Sequence, residues 1–203
     1  MSKVRVARAV GKRDQRLLEK LLQQVAQRVE GGSRFSSDQL PGYEEAIVEV
    51  FGEVPPYGGR GRPPTKKRPS SELGYGQVVK ERVRGRVVAV TTRIVFGDDD
   101  APVNTSGVER THLTSRQRNG RLVRKTLSFS KNRERLEWAC AWEDLVYNFA
   151  QPIKTLRVKP PESPRRWRPR TPAMAAGLTD HIWSLEELLT VLPPKRAKED
   201  HQL

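Results

Sequence analysis

Two stretches rich in proline, glycine and basic residues limit what this chain can fold into. They are GEVPPYGGRGRPPTKKRPSSELG, residues 52–74, and PIKTLRVKPPESPRRWRPRTP, residues 152–172. Neither can run as a regular element, because proline fixes φ and lacks a backbone donor, and glycine is costly to order. Any packed structure must therefore be built from short elements lying between them. The first stretch carries Arg60, Arg62, Lys66, Lys67 and Arg68 and reads either as a flexible basic loop or as a solvated linker. The second reads as an extended basic arm without a core of its own.

Before the first break the pattern alternates between element types. VRVARAV at 4–10 alternates Val and Ala with Arg, which predicts a half-exposed strand. Asp14 then opens a helix with Leu17, Leu18, Leu21, Leu22, Val25 and Val29 at helical spacing, stopped by Gly31-Gly32. SRFSS at 33–37 predicts a short strand running into Asp38. Pro41 starts a second helix to about Val50, with Tyr43, Ile47, Val50 and Phe51 on one face. Strand, helix, strand, helix is the rhythm of an α/β layer fold.

After the break, GQVVKERV at 76–83 and RVVAVTTRIVFG at 86–97 predict two strands joined by a tight turn at Arg84-Gly85. DDDAPV at 98–103 is an acidic loop. A helix is expected from Thr105 to about Arg118, with Val108 and Leu113 as apolar contacts. Another covers 131–149, with apolar surface from Leu136, Cys140, Leu145, Val146 and Phe149. Trp138 and Trp142 share one face of it, and core packing is the better reading for them than a ligand role. WSLEELLTVL at 183–192 opens with Ser184 as cap and Glu187 three residues on, a capping-box spacing. The polar tail, 193–203, reads as disordered.

Charge narrows the partner. The 203 residues carry 38 Lys and Arg against 24 Asp and Glu, a net charge of +14. Such an excess favours a polyanion, most simply nucleic acid. No apolar run is long enough to span a membrane, and the start has no secretory signal. One cysteine, Cys140, excludes an intramolecular disulfide framework and a cysteine-rich zinc site. No Walker-type phosphate loop is present, and His112, His181 and His201 are scattered.

Two acids stand out by position. Asp38 follows a short strand, where ligands and metals collect in α/β sheets. Glu109 lies early in a helix and precedes Arg110, Arg116, Arg118, Arg121, Arg124, Lys125, Lys131, Arg133 and Arg135, against which only Glu134 is acidic. A carboxylate among phosphate-binding cations repels phosphate unless a divalent cation bridges the two. The alternative is that Glu109 pairs with an arginine or favours a helix N-terminus.

NTSGVERTHLTSRQRNGRLVRKTLSFSK, residues 104–131, resembles the segment around the final glutamate of the DDE triad in bacterial insertion-sequence transposases of the insertion-sequence-one type. SSDQLPGYEEAIVEVFG resembles the segment holding their second aspartate. YNFAQP and RTPAMAAGLTDHIWSLEELL resemble their C-terminal end, so the likeness runs from about residue 3 to 192. The resemblance implies an α/β, ribonuclease-H-like fold, here incomplete, with an inserted β-hairpin and an extended basic arm. It implies strand cleavage and transfer at transposon ends with two Mg²⁺ (or Mn²⁺) ions. By position, Asp38 and Glu109 become the second and third catalytic, metal-binding acids. Arg110, Arg116, Arg118, Arg121, Arg124, Lys125 and Lys131 become the DNA track, which neutralises phosphate rather than choosing sequence.

The departures shape the expectation. The family's first aspartate has no counterpart, and Asp14 is a poor replacement. Its N-terminal end-recognition module has no counterpart either. The loop at 97–104 is short for the family. Gly107, His112, Gln151 and Ile153 stand where other residues are usual. These features fit a truncated or decaying copy, or a frame normally joined to an upstream one by translational frameshifting. The expected organisation is 1–51 as the first part of the core, 52–74 as basic loop, 75–97 as hairpin, 98–151 as the helical part of the core, 152–192 as arm and terminal helix, and 193–203 as tail. The expected function is that of the C-terminal portion of a transposase, inactive alone, in the nucleoid of the cytoplasm, with DNA as partner and a second copy or intact transposase as protein partner. The alternative is a non-catalytic basic DNA-binding remnant that competes with intact transposase.

Overall fold

A computed structural model describes residues 2–30, 34–98, 102–162 and 166–191. The tail at 193–203, the Gly31-Gly32 pair and residues 99–101 of the acidic loop lie outside the described residues. The chain is mixed α/β and divides into two compact units. One is Arg5–Ala141 and the other is Met1–Val4 with Trp142–Leu203.

The larger unit is organised on a three-stranded sheet in the order β1 (Arg34–Asp38), β2 (Gly74–Val83), β3 (Arg86–Phe96). β1 runs parallel to β2, with Arg34 opposite Gly74 and Asp38 opposite Val78. β2 and β3 form the expected hairpin. Arg84 and Gly85 at its turn both have positive φ, 49° and 81°, as a two-residue type I′ turn requires. The hairpin belongs to the same sheet as β1. It is buried at its base, where Gly74, Tyr75, Gly76 and Val78 lie, and exposed towards the turn, where Val83, Val87, Val88 and Val90 face solvent.

Helix α1 (Gln15–Ala26) starts where Asp14 accepts a bond from the Leu17 amide at 3.0 Å, which satisfies an orphan donor of the first turn. It ends at Ala26, ahead of the Gly31-Gly32 pair. Helix α2 (Tyr43–Phe51) begins two residues after Pro41, because Gly42 takes the left-handed conformation, φ 94°, at its entry. Leu18 and Leu22 of α1 and Ala46 and Ile47 of α2 pack with Leu73 and Tyr75 into one buried cluster. Phe35, Tyr43, Val50, Phe51 and Phe96 surround it. Leu18 and Leu22 of the expected α1 stripe and Ile47 of the α2 stripe therefore face the sheet core, with Tyr43, Val50 and Phe51 packed against it, whereas Val29 lies beyond the end of α1 and is exposed.

Four expectations change. Residues 4–10 form no strand. Their arginines find partners on a helix instead of a ladder: Arg5 Nη2 lies 3.5 Å from the Thr111 carbonyl and Arg8 Nη2 3.5 Å from Ser115 Oγ. Helix α3 (Ser106–Arg118) is present, but Val108 and Leu113 are exposed and Ser115 is its buried residue. Helix α4 (Arg133–Leu145) ends before 149, and the chain continues as a π-type turn over Val146–Ala150. On α4, Trp138 is 61% exposed and Trp142 38%, so neither is a core residue, while Cys140 is fully buried. Cys140 accepts a 3.8 Å contact from the Asn119 amide group.

The 52–74 stretch is irregular as far as residue 73, as expected, apart from one antiparallel bridge joining Glu53 to Arg68, and its last residue, Gly74, opens β2. In the smaller unit the 152–172 stretch is more ordered than a bare arm. It has a 3-10 turn over Lys154–Leu156 and a bridge between Val158 and Arg168, with Leu156 and Thr171 buried. Helix α5 (Pro172–Ala175) is capped by Thr171, and α6 (Leu185–Thr190) by the full Ser184–Glu187 capping box. Phe149 and Trp183 pack with ring centres 4.9 Å apart, and the Trp183 amide donates to the Phe149 carbonyl.

Candidate nucleic-acid interface

The site is assembled by one small residue. A Cβ on Gly76 of β2 would overlap Val103, so the glycine lets the chain entering α3 lie directly on the sheet. α3 then starts beside β2. Glu109, in its first turn, forms an ion pair with Lys80 of β2. Asp38 is opposite Val78, two residues before Lys80 on the same strand. Both acids are therefore held against one short length of β2.

The Asp38 charge also acts on the next turn of α3. His112, one turn beyond Glu109, is held below its ordinary value by partial desolvation and then by Arg116, Arg8 and Arg5, and Asp38 pulls it back up. Tyr43 is raised by burial first and then by the Asp38 charge. Asp38 is itself solvent-facing, and its Oδ1 accepts from the Leu40 amide at 3.3 Å. Behind it, Tyr75 Oη lies 2.8 Å from Ser37 Oγ and accepts from Gln77 Nε2 at 2.8 Å, which fixes the end of β1 to β2.

A divalent-metal pair would need more donors than these. Lys80 already engages a Glu109 oxygen, and among the described residues no group of three His, Cys, Asp or Glu converges. Asp38 and Glu109 as described do not make a two-metal site by themselves.

The expected DNA track is exposed throughout. Arg110, Arg116 and Arg118 lie on α3, Arg121 on the following 3-10 turn, and Arg124, Lys125 and Lys131 on the segment leading to α4. Arg121 is fixed by a 2.7 Å bond to Ser130 Oγ, and its amide bonds the Asn119 side chain. Lys125 takes a positive φ of 58°. The same segment presents Leu127 and Phe129 to solvent. Glu109 is paired with a cation, but with Lys80 of β2 and not with the arginine that the ion-pair alternative named.

Three site residues were not singled out from sequence: Lys80, Arg5 and Arg8. Lys80 sits in an ordinary strand pattern and carries no local signal. Arg5 and Arg8 were legible only as the polar half of a supposed strand alternation. Among the described residues no helix is long and apolar enough to cross a membrane. Comparison with protein-family models, curated proteins and solved structures gave no match.

Proposed function

We propose that this chain is a DNA-binding protein of the DDE transposase type, with a ribonuclease-H-like core, that does not cleave or transfer strands by itself. The observation that carries the reading is that Glu109 is tied through Lys80 to β2, the strand that also pairs with Asp38, and that a row of solvent-facing cations follows Glu109 on α3 and the segment after it. The parallel β1–β2 pair with α2 in its connection, extended by antiparallel β3, is consistent with part of such a core. Phosphate neutralisation by α3 and the segment after it supplies affinity that is independent of sequence.

Catalysis is the weaker half of the family role here. Phosphoryl transfer depends on metal ions held in fixed positions, and a pair of carboxylates with one oxygen engaged by Lys80 holds them poorly. The same ion pair favours the second reading, a non-catalytic competitor for DNA that intact transposase would otherwise occupy.

The test is a strand-cleavage and strand-transfer assay of the purified chain on insertion-sequence ends with Mg²⁺ or Mn²⁺, beside Glu109→Gln. The expected result is DNA binding without turnover in either protein. Turnover abolished by Glu109→Gln would overturn the inactivity and establish the two acids as catalytic. Absence of DNA binding would overturn the whole reading.

A further inference from the structure

Trp167 is a large aromatic side chain that the smaller unit leaves 47% exposed, and two cations lie over part of its ring. The Arg157 guanidinium lies 4.2 Å from the ring centre and the Lys159 ammonium 5.0 Å. The backbone explains the grouping. Val158 and Arg168 pair across an antiparallel bridge, with amide-to-carbonyl distances of 3.1 and 2.9 Å. Successive side chains on such a ribbon alternate in direction, so Arg157, Lys159 and Trp167 share the side opposite Val158.

The ribbon is anchored at its base. The Ile153 amide donates to the Arg170 carbonyl at 3.0 Å, and Arg170 Nη2 donates to the Met174 carbonyl at 3.1 Å. Leu156 and Thr171 are buried at its two ends. The ring is therefore presented on a fixed support. Its neighbours Arg166 and Arg168 are also exposed.

We propose that Trp167, with Arg157 and Lys159, forms a stacking platform for an unpaired base of a single-stranded nucleic acid. The exposed part of the ring is open to stacking by any base, and the cations lying over the rest of it meet the adjoining phosphates, which is how sequence-tolerant single-strand sites are built. A base within a duplex presents no free face, so the platform discriminates against paired DNA. An anionic membrane surface also attracts aromatic and basic residues. It is the poorer fit, because cations over the ring keep the aromatic body from entering hydrocarbon. The site lies in the smaller unit and does not depend on the reading of α3.

The experiment measures fluorescence anisotropy of the full chain with labelled oligothymidylate, oligouridylate and a duplex of equal length, beside co-sedimentation with phosphatidylserine vesicles. Trp167→Ala is expected to weaken single-strand binding about 10-fold, the scale of one lost stacking contact, and to leave duplex binding unchanged within about 2-fold. Trp167→Phe, which keeps a ring and guards against misfolding of the alanine variant, is expected to retain single-strand affinity within about 3-fold. Loss on both oligonucleotides marks a generic single-strand site, and loss on one identifies its source. Unchanged single-strand binding in Trp167→Ala, equal loss on duplex and single strand, or loss confined to phosphatidylserine vesicles would overturn the proposal. Arg116→Gln with Arg118→Gln serves as the control on α3. Its effect falls on duplex binding and leaves the Trp167 discrimination in place, so failure of one reading does not imply failure of the other.

Discussion

At the scale of single residues, His181 in the smaller unit holds three neighbours at once. Its Nδ1 lies 2.6 Å from Asp180 Oδ1 and its Nε2 3.0 Å from Glu187 Oε1, and its ring stacks on Trp183. These bonds, Asp180 first, raise the His181 pKa above the ordinary 6.5. Glu187 is lowered, chiefly by the Ser184 amide it accepts from in the capping box, and Asp180 is lowered chiefly by His181. Arg168 is the other charge acting on Asp180. A raised histidine stabilises the fold fully below the unfolded value near 6.5 and loses the effect as pH rises through its higher folded value. Lowered carboxylates act oppositely: their contribution is present above 3.8 for Asp180 and 4.5 for Glu187, and is lost as pH falls through their folded values. The contacts at the start of α6 are therefore strongest between about pH 4.5 and 6.5. Thermal unfolding of His181→Phe against the unaltered chain tests this. The two should differ most inside that window and converge at alkaline pH; a constant difference across the range would remove the charged histidine from the account.

At the scale of elements, two glycines do different work. Gly85 has φ 81° and open space around its missing Cβ, so Gly85→Ala tests backbone conformation alone. It should destabilise the chain by about 1–2 kcal/mol, read from chemical denaturation, because only the left-handed turn is affected. Gly76 has neighbours instead: its added Cβ would strike Val103 and crowd Ile94 at 3.3 Å. Gly76→Ala should therefore cost about 1–3 kcal/mol through overpacking, and Val103→Ala in the same chain should restore part of it. Additive losses in that cycle would mean that α3 is not seated through this contact. The comparison shows what was legible in the sequence. The hairpin and its turn were readable from Arg84-Gly85 and alternating apolar runs, and the α6 cap from Ser184 and Glu187. The fate of VRVARAV was not, because alternation records which side chains are polar and not whether a neighbouring strand exists. The tryptophans of α4 failed for a related reason. Spacing put Trp138 and Trp142 on one face, but which face packs depends on what lies against the helix.

At the scale of the whole molecule, the net charge of +14 concentrates into exposed groups with different surroundings. Around α3 the cations stand with two carboxylates, whereas around Trp167 they stand with an aromatic ring. If all seven side chains of the track engage phosphates, duplex affinity should fall with salt at a log–log slope of about −6. Arg118→Gln should flatten that slope by about one unit, measured by titration at several salt concentrations. A slope near zero would show that these side chains do not meet phosphate, whatever their exposure.

The amino-acid sequence alone determined most of the short elements, the β2–β3 turn, the α6 cap, the abundance of positive charge and the two acids worth watching. Those properties are local: a cap needs only a polar side chain near free amides, and a turn only residues tolerant of positive φ. Tertiary structure alone decided that Glu109 meets Lys80, that Asp38 acts on His112, that Arg5 and Arg8 reach α3, and that Trp138 faces solvent while cations lie over part of the Trp167 ring. Each of these joins residues far apart along the chain, or depends on what packs against an element. Charge, exposure and pairing are consequences of packing, and packing here turns on contacts such as Val103 against Gly76 that no local pattern encodes.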